Sequence, residues 1–241
     1  MNNINWLNYW NKKNIWTESD LWKKNNEIFF RKTSNIFDYN KSQVVLDIGC
    51  GNGDLAYNIS TKVDQVYCLE TSQEYIDICK NKFLNSQNIK VLKLNEDYTD
   101  LSFIKNIKFS IIIANSVLQH YRSQQEIVDL VKSLKKISSD DAQFLISDIV
   151  ISNKQTWYNK ITNYLRLFYN SIINRYFISL IEMALKLIID REYLKISKNI
   201  NVLVVDFDKL INDLSLIVKE VNEIKEHITI NVNRKHLLIK L

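Results

Sequence analysis

All three glycines of this 241-residue chain stand within five positions, in Asp47-Ile48-Gly49-Cys50-Gly51-Asn52-Gly53, and the chain has no proline. Glycine and proline normally punctuate turns, so every other loop must be built from Asn, Asp, Ser and Lys. The cluster therefore marks the place where backbone must adopt a conformation, or admit a neighbour, that a Cβ forbids. The run before it, Val44-Val45-Leu46-Asp47-Ile48, reads as a parallel strand buried on both faces, and a helix is expected from Asp54. A strand that turns through glycines into a helix offers free N–H groups to a ligand at the carboxyl end of a sheet, at its topological switch point.

With 46% hydrophobic and 24% charged residues, the chain is long and apolar enough for one folded domain. The absence of proline excludes Asn-Pro-Pro-Tyr sites, Pro-Cys nucleophiles and the zinc deaminase signature. Three cysteines, Cys50, Cys68 and Cys79, without CxxC spacing, and three histidines supply neither a disulfide framework nor a zinc site. A reducing, cytoplasmic setting is expected, and no metal. No basic region followed by an apolar core opens the sequence, and no uncharged run is long enough to span a bilayer, so the expectation is a soluble chain.

Beyond the glycines, strands are expected at 65–69, 89–94, 109–114 and 143–149, alternating with helices at 73–85 and 124–137. This rhythm predicts an α/β, doubly wound, mostly parallel sheet. A long helix at 206–225 and closing strands at 226–231 and 235–241 complete it. The chain divides into 1–42, two or three short helices carrying Trp6, Trp10, Trp16 and Trp22; a core at 43–151; a helical insertion at 152–200; and a closing helix with an antiparallel hairpin at 201–241.

Two ligand classes compete for the glycine turn. A dinucleotide fingerprint needs a third glycine where Asp54 stands, and no Gly-Lys-Ser/Thr follows for a P-loop. The spacing present, G-x-G-x-G with an acid two residues before it, resembles motif I of the class I S-adenosylmethionine-dependent methyltransferases. The strands from 44 to 241 likewise resemble that family's seven-strand fold. The resemblance implies a helical lid at the N-terminus, a helical cap after strand five, and S-adenosylmethionine as cofactor, with S-adenosylhomocysteine as its product. It assigns Asp47 to the neighbourhood of the cofactor's amino-acid end and Gly49, Gly51 and Gly53 to close backbone packing. Glu70, followed by Thr71, matches the acid that accepts from both ribose hydroxyls, a task suited to a carboxylate. Asp97 matches the acid at the adenine edge, with Glu96 an adjacent competitor and Tyr98 able to flank the ring. Each acid also has a plain structural reading, as a strand-end, helix-capping or turn residue.

The fourth strand continues through Asn115-Ser116-Val117-Leu118-Gln119-His120-Tyr121. It is similar to the strand that ends beside the methyl group in small-molecule methyltransferases, although Ser110 stands where those have Asp. Asn115, among the cofactor-binding candidates, is not followed by Pro-Pro, which argues against nucleobase amino groups and protein glutamine as acceptors. Transfer to a hydroxyl needs its proton removed, and His120 at the end of a central strand is the candidate base, with Tyr121 behind it. The alternative is a loop histidine bonded to backbone. His227 and His236 are expected to be structural, and Asp148 alone makes a poor metal site.

The formal charge of +5 is concentrated. Residues 151–200 hold 8 basic and 3 acidic side chains, while the remainder balances at 24 against 24. The same segment pairs Trp157-Tyr158, Phe168-Tyr169, Ile172-Ile173 and Tyr176-Phe177 at helical spacing. It suits an anionic small-molecule substrate, peripheral contact with an anionic membrane, or plain packing on the sheet. The Trp-rich start reads as lid, aromatic cage or core, and its lysines also permit RNA stacking, although no broad basic stripe makes nucleic acid the expected partner. The resulting expectation is methyl transfer to a small molecule, at a hydroxyl of a sugar or a lipid-linked or phosphorylated glycan precursor. The alternatives are an RNA methyltransferase and a non-catalytic cofactor-binding module.

Overall fold

The apolar run ahead of the glycines lies at the centre of a seven-stranded sheet in the computed structural model. The structure describes residues 10, 19–95, 98–151, 157–173, 175–189, 202–229 and 234–241, without side chains at 157–164 and 187–189. In chain order the elements are α1 (Asp20–Thr33), β1 (Val44–Ile48), α2 (Asp54–Ser60), β2 (Gln65–Glu70), α3 (Gln73–Lys82), β3 (Ile89–Lys93), β4 (Phe109–Asn115), α4 (Gln124–Ile137) and β5 (Ser138–Ile149). There follow α5 (Trp157–Ile173), α6 (Phe177–Ile189), α7 (Phe207–Ser215), β6 (Glu220–Glu223) and β7 (Lys235–Lys240). The spatial order is β3-β2-β1-β4-β5-β7-β6, with β7 antiparallel to both neighbours and the remaining pairs parallel. Strand order reverses between β1 and β4, where Ile48 is level with Leu69 on one side and Ala114 on the other. A crevice must open at that point, because the helices leaving β1 and β4 go to opposite faces.

Two apolar layers hold the sheet. Leu46, Ile48, Ile112 and Phe144 project to the face covered by α4 and α7, while Val45, Cys68, Ile111 and Leu145 project to the face covered by α1, α2 and α3. This is the alternation expected of strands buried on both sides. With so few glycines and no proline, helix starts rely on small polar caps. Ser19, Ser72, Ser123 and Asp206 each accept a backbone N–H of the first turn of α1, α3, α4 and α7.

The closing segment differs from expectation. The helix ends at Ser215, and β6 occupies Glu220–Glu223, where the apolar spacing read as continuing helix. Residues 226–229 form no strand, and 230–231 lie outside the described residues. Pairing decides this outcome: Val221 and Glu223 sit opposite Ile239 and Leu237 of β7, and the backbone N–H and C=O groups at 220–223 are satisfied there rather than along a helix. β5 also begins five residues earlier than the sequence implied, because Ser138 is drawn into register with Phe109.

Candidate active site

The glycine turn folds back over the end of β2. Gly49 and Cys50 donate to the Leu69 carbonyl at 2.7 and 3.2 Å, and all three glycines take positive φ, at 68°, 55° and 76°. Their surroundings differ. A Cβ on Gly49 would lie 2.6 Å from Val117 Cγ2, and one on Gly53 would lie 2.6 Å from the Phe83 ring and 2.9 Å from Cys79 Sγ. A Cβ on Gly51 would meet nothing within 4 Å, because that position faces an open cleft.

Glu70 holds the turn in place. Its Oε2 accepts from Gly51 N–H at 2.9 Å, and its Oε1 accepts from the N–H groups of Thr71 at 2.8 Å and Ser72 at 3.0 Å. Three backbone donors fix a buried carboxylate in one orientation, which few surface acids achieve. Asp47, level with Cys68 in the strand register, is also buried beneath the turn. Burial first, and the neighbouring Glu70 carboxylate second, push its carboxyl up to about 8, and its Oδ2 has no hydrogen-bond partner among the described residues.

The opposite wall comes from the end of β4. Asn115 Oδ1 accepts from Ser147 Oγ at 2.6 Å. Ser116 has a φ of 59° and donates its hydroxyl to Asp148 Oδ2 at 2.7 Å. Asp148, at the end of β5 with a φ of 63°, faces Arg234 across 3.8 Å, and its N–H donates to His236 Nδ1 at 3.2 Å. His236 is fully buried, and burial ahead of the charges of His227 and Lys235 lowers its pKa to about 4. Through Asp148 and Ser116 it reaches the cleft wall from the closing strand.

The helical turn Leu118–His120 follows. His120 keeps part of its surface toward the cleft, but packing around the ring lowers its pKa to about 3 by desolvation. Its ring lies edge-on to Trp10 at 5.8 Å, and Tyr121 packs against Tyr98 at 5.4 Å. Trp10 also touches Tyr75, and its carbonyl accepts from Ser72 Oγ at 2.8 Å. An indole from ahead of α1 thus bridges the two walls.

Together these elements enclose about 750 Å³ of space, part of it open to solvent. Of the residues singled out from sequence, Gly49, Gly51, Glu70, Thr71, Tyr98, Asn115, His120 and Tyr121 line it. Two do not. Gly53 is the N-cap of α2, buried against Phe83, and Asp47 lies beneath the floor, since its strand position points it at the face covered by α2 and α3. Asp97 and Glu96 lie outside the described residues. Tyr75, Leu94, Ser116 and Val117 line the cleft without having been singled out for it, and Trp10 and Trp22 reach it from the segment read as lid, cage or core. Ser116 and Val117 directly follow β4 and were within reach of the strand reading, whereas Trp22 turns inward only because Leu21, Ile28 and Phe29 anchor α1.

All three cysteines lie under the turn. The thiols of Cys50, Cys68 and Cys79 gather there in one buried cluster, and those of Cys50 and Cys79 approach the Gly51 carbonyl at 3.7 and 3.1 Å. The neighbouring Cys68 thiol pushes the Cys50 thiol up, and the neighbouring Cys50 thiol, ahead of burial, pushes the Cys79 thiol up. All three cysteines are free and buried. Among the described residues, no group of three or more His, Cys, Asp or Glu is placed to hold a metal ion.

A carboxylate fixed by backbone N–H groups at the cleft, a glycine facing open space and a tyrosine on the lining suit a nucleoside. Comparison with known proteins agrees with this geometry. Residues 45–140 match the family model described as a methyltransferase domain. A ubiquinone biosynthesis O-methyltransferase of Rickettsia bellii is 30% identical over 92 residues, covering 38% of this chain and 37% of the relative. A ribosomal RNA small subunit methyltransferase A of Mycoplasma capricolum is 28% identical over 92 residues, covering 33% of this chain and 34% of the relative. The chain thus spans little more than a third of the length of these relatives. The crystal structure of magnesium protoporphyrin IX methyltransferase from Synechocystis with bound S-adenosylhomocysteine superposes with a TM-score of 0.55 at 12% identity, covering 92% of this chain and 85% of that one.

Proposed function

We propose that residues 45–140, a methyltransferase domain of the class I, S-adenosylmethionine-dependent fold, serve methyl transfer to a hydroxyl of a small molecule. The carrying observation is Glu70. Its carboxylate is fixed by three backbone N–H groups at the lip of a cleft whose floor is the open face of Gly51. Glu70 would hold the ribose, Gly49 and Gly51 the backbone-facing edge, and Tyr98 a face of the adenine. Asp47, buried beneath the turn and outside the cleft lining, supports the floor rather than meeting the ligand. When bound, S-adenosylmethionine supplies an electrophilic methyl group carried on a sulfonium.

The chain's own contribution is position. In-line displacement needs donor and acceptor held in near-attack geometry, and the rigid β4 wall with Trp10 across it provides that while excluding water. His120 takes the acceptor's hydroxyl proton on a ring nitrogen as the new C–O bond forms, when the oxygen is most acidic. Desolvation lowers its pKa to about 3, so the ring is neutral at physiological pH but a weak base, able to take the proton only as the attacking oxygen gains oxonium character. Trp10 and Trp22, which line the cleft, act as the lid, whereas no described residue of α5 or α6 lines it. A sugar or lipid-linked precursor, anionic where phosphorylated, fits the cationic excess of 151–200. The free thiols support a cytoplasmic setting. Among the described residues no helix is long and apolar enough to cross a membrane.

Calorimetric titration with S-adenosylmethionine tests the assignment. Wild type should bind, and Glu70→Gln should lose at least tenfold in affinity, since one oxygen that accepts becomes an amide that donates. Unchanged affinity would remove Glu70 from the site. The likeness to a ribosomal RNA methyltransferase supports a second reading, an RNA acceptor. A salt-sensitive gel shift with ribosomal RNA fragments would favour it.

A further inference from the structure

The helical pair α5–α6 faces solvent with the residues a folded protein usually hides. On α5, Leu165, Phe168, Tyr169, Ile172 and Ile173 recur at intervals of three and four and are exposed, Tyr169 by 65%. On α6, Ile178, Ile181 and Leu185 do the same, Ile178 by 73%. The inner side of the pair is committed elsewhere. Met183 and Tyr176, with Leu180 beside them, pack on Leu21 and Ile28 of α1, and Phe168 meets Phe177 edge-on at 5.2 Å to join the two helices. Two exposed apolar stripes on one hairpin exceed the scattered apolar residues normal on a surface.

Charge narrows what can cover this surface. The exposed charged side chains on the pair are Arg166, Arg175 and Lys186, against Glu182 alone among the described residues. The surrounding sequence continues the excess, with Lys154, Lys160, Arg191, Lys195 and Lys198 against Asp190 and Glu192. A second copy docked by symmetry would bring each cation toward its own counterpart. An anionic bilayer neutralises the cations and buries the stripes together, which is the arrangement of an interfacial amphipathic helix. α5 has 17 residues and carries Arg166, so it is suited to lie on a bilayer rather than cross it.

We propose that α5 and α6 seat this protein on an anionic lipid surface through Leu165, Phe168, Ile172, Ile178 and Ile181, with Arg166 and Lys186 on the headgroups. α6 packs on α1, and Trp22 of α1 lines the cleft, so docking brings that wall of the cleft toward the bilayer. An acceptor carried in the lipid phase would then have a short path to His120. That last step rests on the proposed methyl transfer, whereas docking itself does not.

Cosedimentation with vesicles tests the docking directly. The full chain should pellet with vesicles of phosphatidylcholine mixed with phosphatidylglycerol at least tenfold more strongly than with phosphatidylcholine alone, and lose that preference in high salt. Ile172→Ser with Ile178→Ser should weaken binding at least tenfold with an unchanged thermal melt, because both side chains are already exposed. Arg166→Gln with Lys186→Gln leaves the stripes intact and should selectively reduce binding to the anionic vesicles. Failure to pellet with anionic vesicles, or binding indifferent to both pairs of substitutions, would overturn the proposal. So would a lipid-free dimer in sedimentation velocity that the Ile172→Ser/Ile178→Ser chain no longer forms. A wild-type chain that binds S-adenosylmethionine but does not dock would overturn the surface alone.

Discussion

The two walls of the cleft are made by different means. The β1–β2 wall is backbone: three glycines at positive φ, two N–H bonds to Leu69 and a carboxylate clamped by Gly51, Thr71 and Ser72, all within 24 residues of one another. The β4–β5 wall is side chain. Ser116 leans on Asp148, and Asp148 leans on His236 from the far end of the chain, with both Ser116 and Asp148 held at positive φ without being glycine. The first wall is suited to hold a ligand of one fixed shape. The second is held by long-range contacts, and substitutions in β7 can reach it without touching the cleft.

The strongest way to break the comparison is at the glycines themselves. Gly53→Ala must accommodate a Cβ 2.6 Å from Phe83 at a φ of 76°, and the combined overpacking and backbone strain should cost about 4 kcal/mol, enough to unfold a marginal domain. Gly51→Ala meets open space, so it should cost only about 1 kcal/mol in denaturant titration while still blocking the cleft to ligand. Equal stability losses in the two variants would mean that the turn does not distinguish packing from binding. At the other wall, His120→Ala should lower kcat about a hundredfold and leave cofactor affinity within twofold. Because burial already holds that imidazole near 3, the wild-type rate should show no inflection near pH 6.5. An inflection there that disappears in the variant would contradict the buried environment.

The last prediction concerns Asp47. Its folded pKa of about 8 lies above the ordinary carboxylate value, so the folded state holds a proton that the unfolded chain releases. Its contribution to stability is complete below about pH 4 and is lost as the pH rises toward 8, with a slope of at most about 1.4 kcal/mol per pH unit. Asp47→Asn should flatten that slope in melts taken from pH 4 to 8. A slope identical to wild type would place the proton elsewhere.

How much of this was legible in sequence follows the same division. The first wall is local: an apolar run, a glycine cluster and an acid ending the next strand specify a strand–turn–helix before any packing is known. Strands β1 to β5 were readable for the same reason, since strands buried on both faces leave continuous apolar runs. The second wall and the closing segment were not. Nothing near Ser116 announces that Asp148 and His236 will support it, and nothing at 216–223 reveals that pairing with β7 will overrule a helical spacing. Trp22 belongs to the same class, because its direction is set by what α1 packs against. Gly53 was assigned to the ligand with its two companions, but it serves the joint between α2 and α3, a distinction visible only once Phe83 is in place.

The convergence of Cys50, Cys68 and Cys79 under the glycine turn has a practical consequence. They are all the sulfhydryls the chain possesses, drawn from three separate elements and shielded in the closed form. Uptake of a thiol-reactive dye by the native protein therefore clocks local openings of this one floor, with no background from the rest of the molecule. Any ligand that stabilises the turn will announce itself by slowing that clock, whatever chemistry the cleft performs.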